Sequence, residues 1–266
     1  MSVSSISLLY VIVRLAIFSA SCALLVMGVL VTVNKEKQTK ILGIGFIIAG
    51  VFAMISSAFT TFRSMWGVAV YAKLSTGMSV ISMLASVATM FCLCRYIHQA
   101  YGKKHIYIPV FAIMAVNRIA SLIVALCLNK TGKGALMAYW ISLVTNINGL
   151  VTGTVLAVIL FLAFYQNRDK EKIIPDTWKI RIALYAFSLL KGAFYISAYL
   201  VMLKVLKDHT YNPGGIFGSL IGGKADITLL FIELTGALVD LVFPIYVFVR
   251  LKKVEAQKIA EQASGK

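Results

Sequence analysis

Three carboxylates, Asp226, Glu233 and Asp240, are spaced seven residues apart in the last long apolar stretch of the chain. At about 3.6 residues per turn that spacing puts all three on one helix face, drifting ~20° per step. Ionised groups at membrane depth are costly, so this face is expected to look into a helix bundle. Such carboxylates bind cations or carry protons, or they pair with buried basic residues and fix helix packing. Three basic residues inside other apolar stretches offer partners: Lys191, Arg118 and Arg14. At ~1.5 Å rise per residue, Glu233 lies roughly 12 Å and Asp240 roughly 22 Å below one edge, with Lys191 near 18 Å. Lys191 then reaches either acid, whereas Arg118 and Arg14 suit Glu233 better. Glu233, Asp240, Lys191 and Arg118 are the candidate ligand or ion site, with a structural ion pair as the competing reading.

Other chemistry is disfavoured. Glu233 and Asp240 share one helix and lie ~10 Å apart along it, which does not suit a paired-acid protease. No Ser–His arrangement falls at membrane depth, so no enzyme is expected. His98, His105 and His209 all fall in expected connections, and Cys22, Cys92, Cys94 and Cys127 form no C-x-x-C pair. No metal and no cofactor is therefore expected. Gly43-Ile44-Gly45 lacks the strand that a dinucleotide motif requires.

The elements that must position these groups are seven apolar stretches, approximately 7–33, 41–62, 68–94, 106–128, 135–165, 182–206 and 225–249. Each reaches the roughly 20 residues that cross a ~30 Å hydrocarbon core as a helix. Of the 26 Lys and Arg, 16 fall in alternate connections and the C-terminal tail, among them Lys35, Lys103, Lys172 and Lys252; the opposite set holds seven. By the positive-inside rule the richer set is cytoplasmic. The expected fold is an all-α, polytopic, seven-transmembrane helix bundle with its N-terminus outside and C-terminus inside. It comprises a membrane domain over 1–250 and a short basic cytoplasmic tail over 251–266.

With 60% hydrophobic residues and a mean hydropathy of +0.88, this reads as an integral multi-pass membrane protein, with the plasma membrane as its expected location. Residues 1–7 carry no basic n-region, so the first stretch reads as an uncleaved anchor. The net charge of +16 sits at membrane edges, where it meets anionic inner-leaflet lipid; nucleic acid is not an expected partner. Asn129-Lys130-Thr131 is a glycosylation acceptor on the expected outer side. The 207–224 connection, rich in Gly and Pro, reads as a lid, a re-entrant turn or an ordinary loop. Gly149-Leu150-Val151-Thr152-Gly153, with Asn146 and Asn148 just before it, marks a close helix contact, as do Ser82, Ser86 and Thr89.

At the inner end of the third stretch stands Cys94-Arg95-Tyr96, preceded by Ser82-Met83-Leu84-Ala85-Ser86-Val87. With the seven-helix plan, this resembles G-protein-coupled receptors, which carry an acidic-Arg-Tyr triplet there. The resemblance implies an all-helical receptor in which Arg95, with Tyr96, forms the coupling surface for a G protein or other cytoplasmic partner. Cys94 replaces the acidic residue, so an ionic lock within the triplet is not available. Phe243-Pro244-Ile245-Tyr246 stands where the family has Asn-Pro-x-x-Tyr, with Tyr at a different offset. The segment after Val249 matches either the family's short eighth helix or a plain stop-transfer tail. Lys224 stands only at the entrance of the last stretch, which excludes a microbial-rhodopsin retinal site. The functional expectation is a receptor that senses a small external ligand. The alternative is a transporter or channel for a small solute or cation that uses the acidic face.

Overall fold

A computed structural model describes residues 3–34, 37–61, 68–101, 104–129, 177–207 and 216–264, together with scattered helical residues between 143 and 166. Six continuous helices account for most of them: α1 (Val3–Val33), α2 (Lys37–Thr61), α3 (Val68–Tyr101), α4 (Lys104–Asn129), α5 (Thr177–Lys207) and α6 (Ile216–Ala263). No strand occurs among the described residues. Asn129 ends α4, but its side chain, Lys130 and Thr131 lie outside the described residues, as do Gly149 and Gly153.

Among the described residues, four helices are long and apolar enough to cross a membrane, over Leu8–Val33, Thr39–Thr61, Val80–Gln99 and Leu230–Ala263, as expected of a membrane protein. Their surfaces say the same. On α1, Leu8, Val11, Ile12, Leu15, Val26 and Val33 all face outward, and on α3 Ile81, Leu84 and Phe91 do so. A helix that is apolar on all sides has no water-facing side; lipid is the natural solvent for its outer face.

Helix ends depart from the expected stretches for local reasons. α3 continues past Cys94 through the polar run to Tyr101. α6 begins at Ile216, nine residues before position 225, so the 216–224 part of the expected loop is helical. It then runs without a break through position 250 to Ala263, a length of about 72 Å. Ala, Glu, Gln and Lys dominate that last segment, and all are strong helix formers, so the charges that end an apolar stretch do not end the helix. The tail is thus an extension of α6 and not a separate eighth helix.

The first four helices pack in sequence order. α1 lies against α2, α2 against α3, and α3 against α4; α6 closes back on α1 and also meets α5. Described residues between 143 and 166 touch α3, α4 and α5. Asn148 donates through Nδ2 to Asn117 Oδ1 on α4. Ile159 packs against the Cys94–Met114 cluster, and Leu150 lies against Gly192 of α5. The main core forms at one end of this ring, where Val31, Leu42, Leu93, Tyr96, Ile97, Phe243, Val247 and Leu251 meet. Phe46 and Phe243 stack edge to face there, with centroids 5.7 Å apart.

The α1–α2 contact is set by glycines. A Cβ on Gly28 would stand 2.6 Å from the Ile47 nitrogen, and one on Gly50 would stand 2.6 Å from the Leu25 nitrogen. Gly43 likewise faces Thr32, whose nitrogen would be 2.7 Å from an added Cβ. Gly43 and Gly50 are seven apart and share a face, so the two backbones meet along about two turns of α2.

Candidate functional site

A cavity of about 680 Å³ opens among α1, α2, α3 and α6, with Met114 of α4 and Lys191 of α5 reaching its wall. Its size falls within the ~300–1,000 Å³ range of small-molecule sites. Most of the wall is apolar, including Ile17, Leu24, Phe46, Phe52, Met90 and Leu93. Among the described residues, four ionisable side chains line it: Arg14, Lys191, Glu233 and Asp240.

α1 supplies Arg14 and α6 supplies Glu233, and the two form an ion pair at 2.7 Å between Nη1 and Oε2. The guanidinium also donates through Nε to the Tyr10 hydroxyl at 3.2 Å and lies 5.2 Å from the Tyr10 ring centre. Tyr10 and Arg14 are four residues apart, so the helix itself aligns them. A charge-assisted bond and an aromatic face therefore hold one cation, which suits the delocalised guanidinium better than an ammonium. Arg14 is the more enclosed partner, its side chain 11% exposed against 43% for Glu233.

Lys191 stands between the two acid positions. Arg14 occupies Glu233, and the Lys191 ammonium rests over Gly236, where an added Cβ would be 2.7 Å from Nζ. Gly236 lies three residues after Glu233 and four before Asp240, on the same face of α6. Its missing side chain lets the ammonium settle onto the helix between the two carboxylate positions. Asp240 lines the cavity from the far side of that seat. Pro244, four residues on, has no N–H, so it removes the helical donor that the Asp240 carbonyl would otherwise receive.

The candidates separate into two groups. Glu233, Asp240 and Lys191 come together on one cavity wall, whereas the side chains of Arg118 and Asp226 lie outside the described residues. At the other end of α3, Tyr96 is 1% exposed and packed in the main core, and Arg95 beside it is half-buried. Tyr246, from the Phe-Pro-Ile-Tyr run, lies under Arg250 with the guanidinium 5.6 Å from the ring centre.

Hydroxyls supply the remaining polarity. Ser21 donates to the Ile17 carbonyl and Thr60 to the Ser56 carbonyl, so both satisfy themselves within their own helices. Ser57 is different: it is 6% exposed, lines the cavity, and its Oγ has no hydrogen-bond partner among the described residues. Sequence reasoning missed Ser57, Tyr10 and Gly236. The Tyr10–Arg14 spacing and the Glu-x-x-Gly-x-x-x-Asp pattern were available signals for two of them; nothing in the sequence singles out Ser57. Among the described residues no group of three or more His, Cys, Asp or Glu could hold a metal ion, and Cys22, Cys92 and Cys94 are free thiols. Comparison of the chain with protein-family models, with characterised proteins and with solved structures finds no match, so the site is read from its own residues.

Proposed function

We propose that the chain is a seven-transmembrane receptor of the plasma membrane, with its N-terminus outside, that binds a small external ligand in this cavity and signals to a cytoplasmic partner such as a G protein. The observation that carries the reading is the helix order: α1 to α4 pack in turn, and α6 closes on α1 around a ligand-sized cavity. In this orientation Arg14, Glu233 and Ser57 lie in the outer half of the bundle and the Arg95 end of α3 faces the cytoplasm. Ligand and coupling surfaces then sit at opposite ends of the same helices. A ligand that contacts α1, α5 and α6 together shifts the bundle only if it prefers one of their arrangements. Tyr96, fixed in the core, holds the end of α3 while half-buried Arg95 meets the partner.

Basal G-protein activation across a panel of Gα subunits tests this, with Arg95→Ala as the control. Activation that falls to background in Arg95→Ala, at equal surface expression, is the expected result. Coupling unchanged by Arg95→Ala overturns the role given to that residue. Asp240 on the cavity wall supports transport of a small solute or cation as the second reading. The Arg14–Glu233 pair counts against a cation path, because it already compensates the outer carboxylate. Flux through the wild-type protein that Glu233→Gln eliminates at equal surface expression would favour transport over signalling.

A further inference from the structure

We infer that the molecule this cavity takes is net-uncharged, with an apolar body and one compact head that accepts hydrogen bonds. The inference rests on the ligand-cavity reading and names the class of ligand. Among the described residues the wall carries two cations, Arg14 and Lys191, and two carboxylates, Glu233 and Asp240, so its formal charge is zero. Arg14 and Glu233 already engage each other at 2.7 Å. An anion would have to compete with Glu233 for the guanidinium, and a cation would have to compete with Arg14 for Glu233. Either would leave the wall and its occupant with a net charge beside Phe46, Phe52, Met90 and Met114, where desolvation is costly.

A neutral head meets no such opposition and finds two polar contacts. Lys191, seated on Gly236, brings ammonium N–H donors to the wall. Ser57 of α2 lines the same cavity, and its buried Oγ has no hydrogen-bond partner among the described residues. A buried hydroxyl left without a partner costs free energy that a bound acceptor or donor recovers. An alcohol, ether or carbonyl head matches these contacts, and the apolar wall takes the body.

The test uses three probes with one shared ring and different heads: 2-phenylethanol, phenylacetate and 2-phenylethylammonium. The full chain is held in lipid nanodiscs, and each probe is added at millimolar concentration at neutral pH. The readout is the thermal unfolding midpoint, compared with that of Ala53→Trp, which fills the cavity from α2. The expected result is a rise of roughly 3 °C with 2-phenylethanol, absent from the filled variant, and no rise with either ion. Ser57→Ala, which keeps the cavity open, is the second variant and should lose at least half of that shift. A rise with an ionic probe and none with the alcohol overturns the ligand class but leaves the cavity as a binding site. No rise with any of the three overturns both.

Discussion

Gly50→Leu is expected to destroy the folded protein, with little monodisperse material surviving size exclusion. The reason is geometric. A Cβ on Gly50 would stand 2.6 Å from the nitrogen and 2.7 Å from the Cα of Leu25, both backbone atoms of α1. A flexible side chain gives way to such a contact; a helix backbone moves only if the helices part. Parting them removes the contact along Gly28, Gly43 and Gly50 together, for a loss of about 3 kcal/mol or more. Gly50→Ala should already lower the unfolding midpoint, because even one methyl group falls inside the forbidden distance. Gly77→Ala is the control: an added Cβ there meets nothing within 4 Å, and removing a mid-helix glycine should be neutral or stabilising by about 0.5–1 kcal/mol. Equal behaviour of the Gly50 and Gly77 alanine variants would mean that α1 and α2 do not approach this closely.

That close approach shows where the sequence stops being informative. Long apolar runs with no interior water-facing side give helices on length and composition alone, and α1 and α2 follow the expected stretches within a few residues at each end. Helix ends past the apolar run are a different matter. The segment after Val249 is polar but helix-favouring, so a reading keyed to hydropathy ends the element while the backbone continues to Ala263. Neighbours are harder again. Gly43 and Gly50 are visibly on one face, but nothing in their spacing tells whether that face meets α1, α3 or lipid. The most evident small-residue motif, Gly149 to Gly153, drew attention to a different helix.

The candidate site was legible in part, for a reason of cost. Ionised groups inside apolar runs are few, and each has to be compensated, so Arg14, Lys191, Glu233 and Asp240 stand out before any coordinates are known. Their pairing is set by lateral helix order, which sequence does not state. Depth along the membrane left both Arg14 and Lys191 within reach of Glu233. The contact of α6 with α1 brings Arg14 to Glu233, and Gly236 provides Lys191 with a separate seat. A glycine between two acids reads as helix packing until a lysine is seen resting on it.

The pairing makes an asymmetric prediction. Glu233→Gln should destabilise the protein more than Arg14→Gln, by about 2 kcal/mol or more against about 1 kcal/mol. Removing the carboxylate leaves a guanidinium that is only 11% exposed with the Tyr10 hydroxyl and ring as its remaining partners. Removing the guanidinium leaves a carboxylate that is 43% exposed, within a turn of the Lys191 seat at Gly236. The ammonium can swing toward it, so part of the compensation returns. The double variant should lose less than the sum of the two singles, and the swap of Arg14→Glu with Glu233→Arg should recover part of what either reversal loses. Adding Lys191→Met to Arg14→Gln should then cost more than adding it to the wild type, because the substitute cation is gone. Thermal midpoints in one lipid environment read all of these differences. Strict additivity between Arg14 and Glu233 would show that the 2.7 Å contact contributes nothing to holding α1 on α6. Additivity between Lys191 and Arg14 alone would leave that contact intact and remove the substitute role from Lys191.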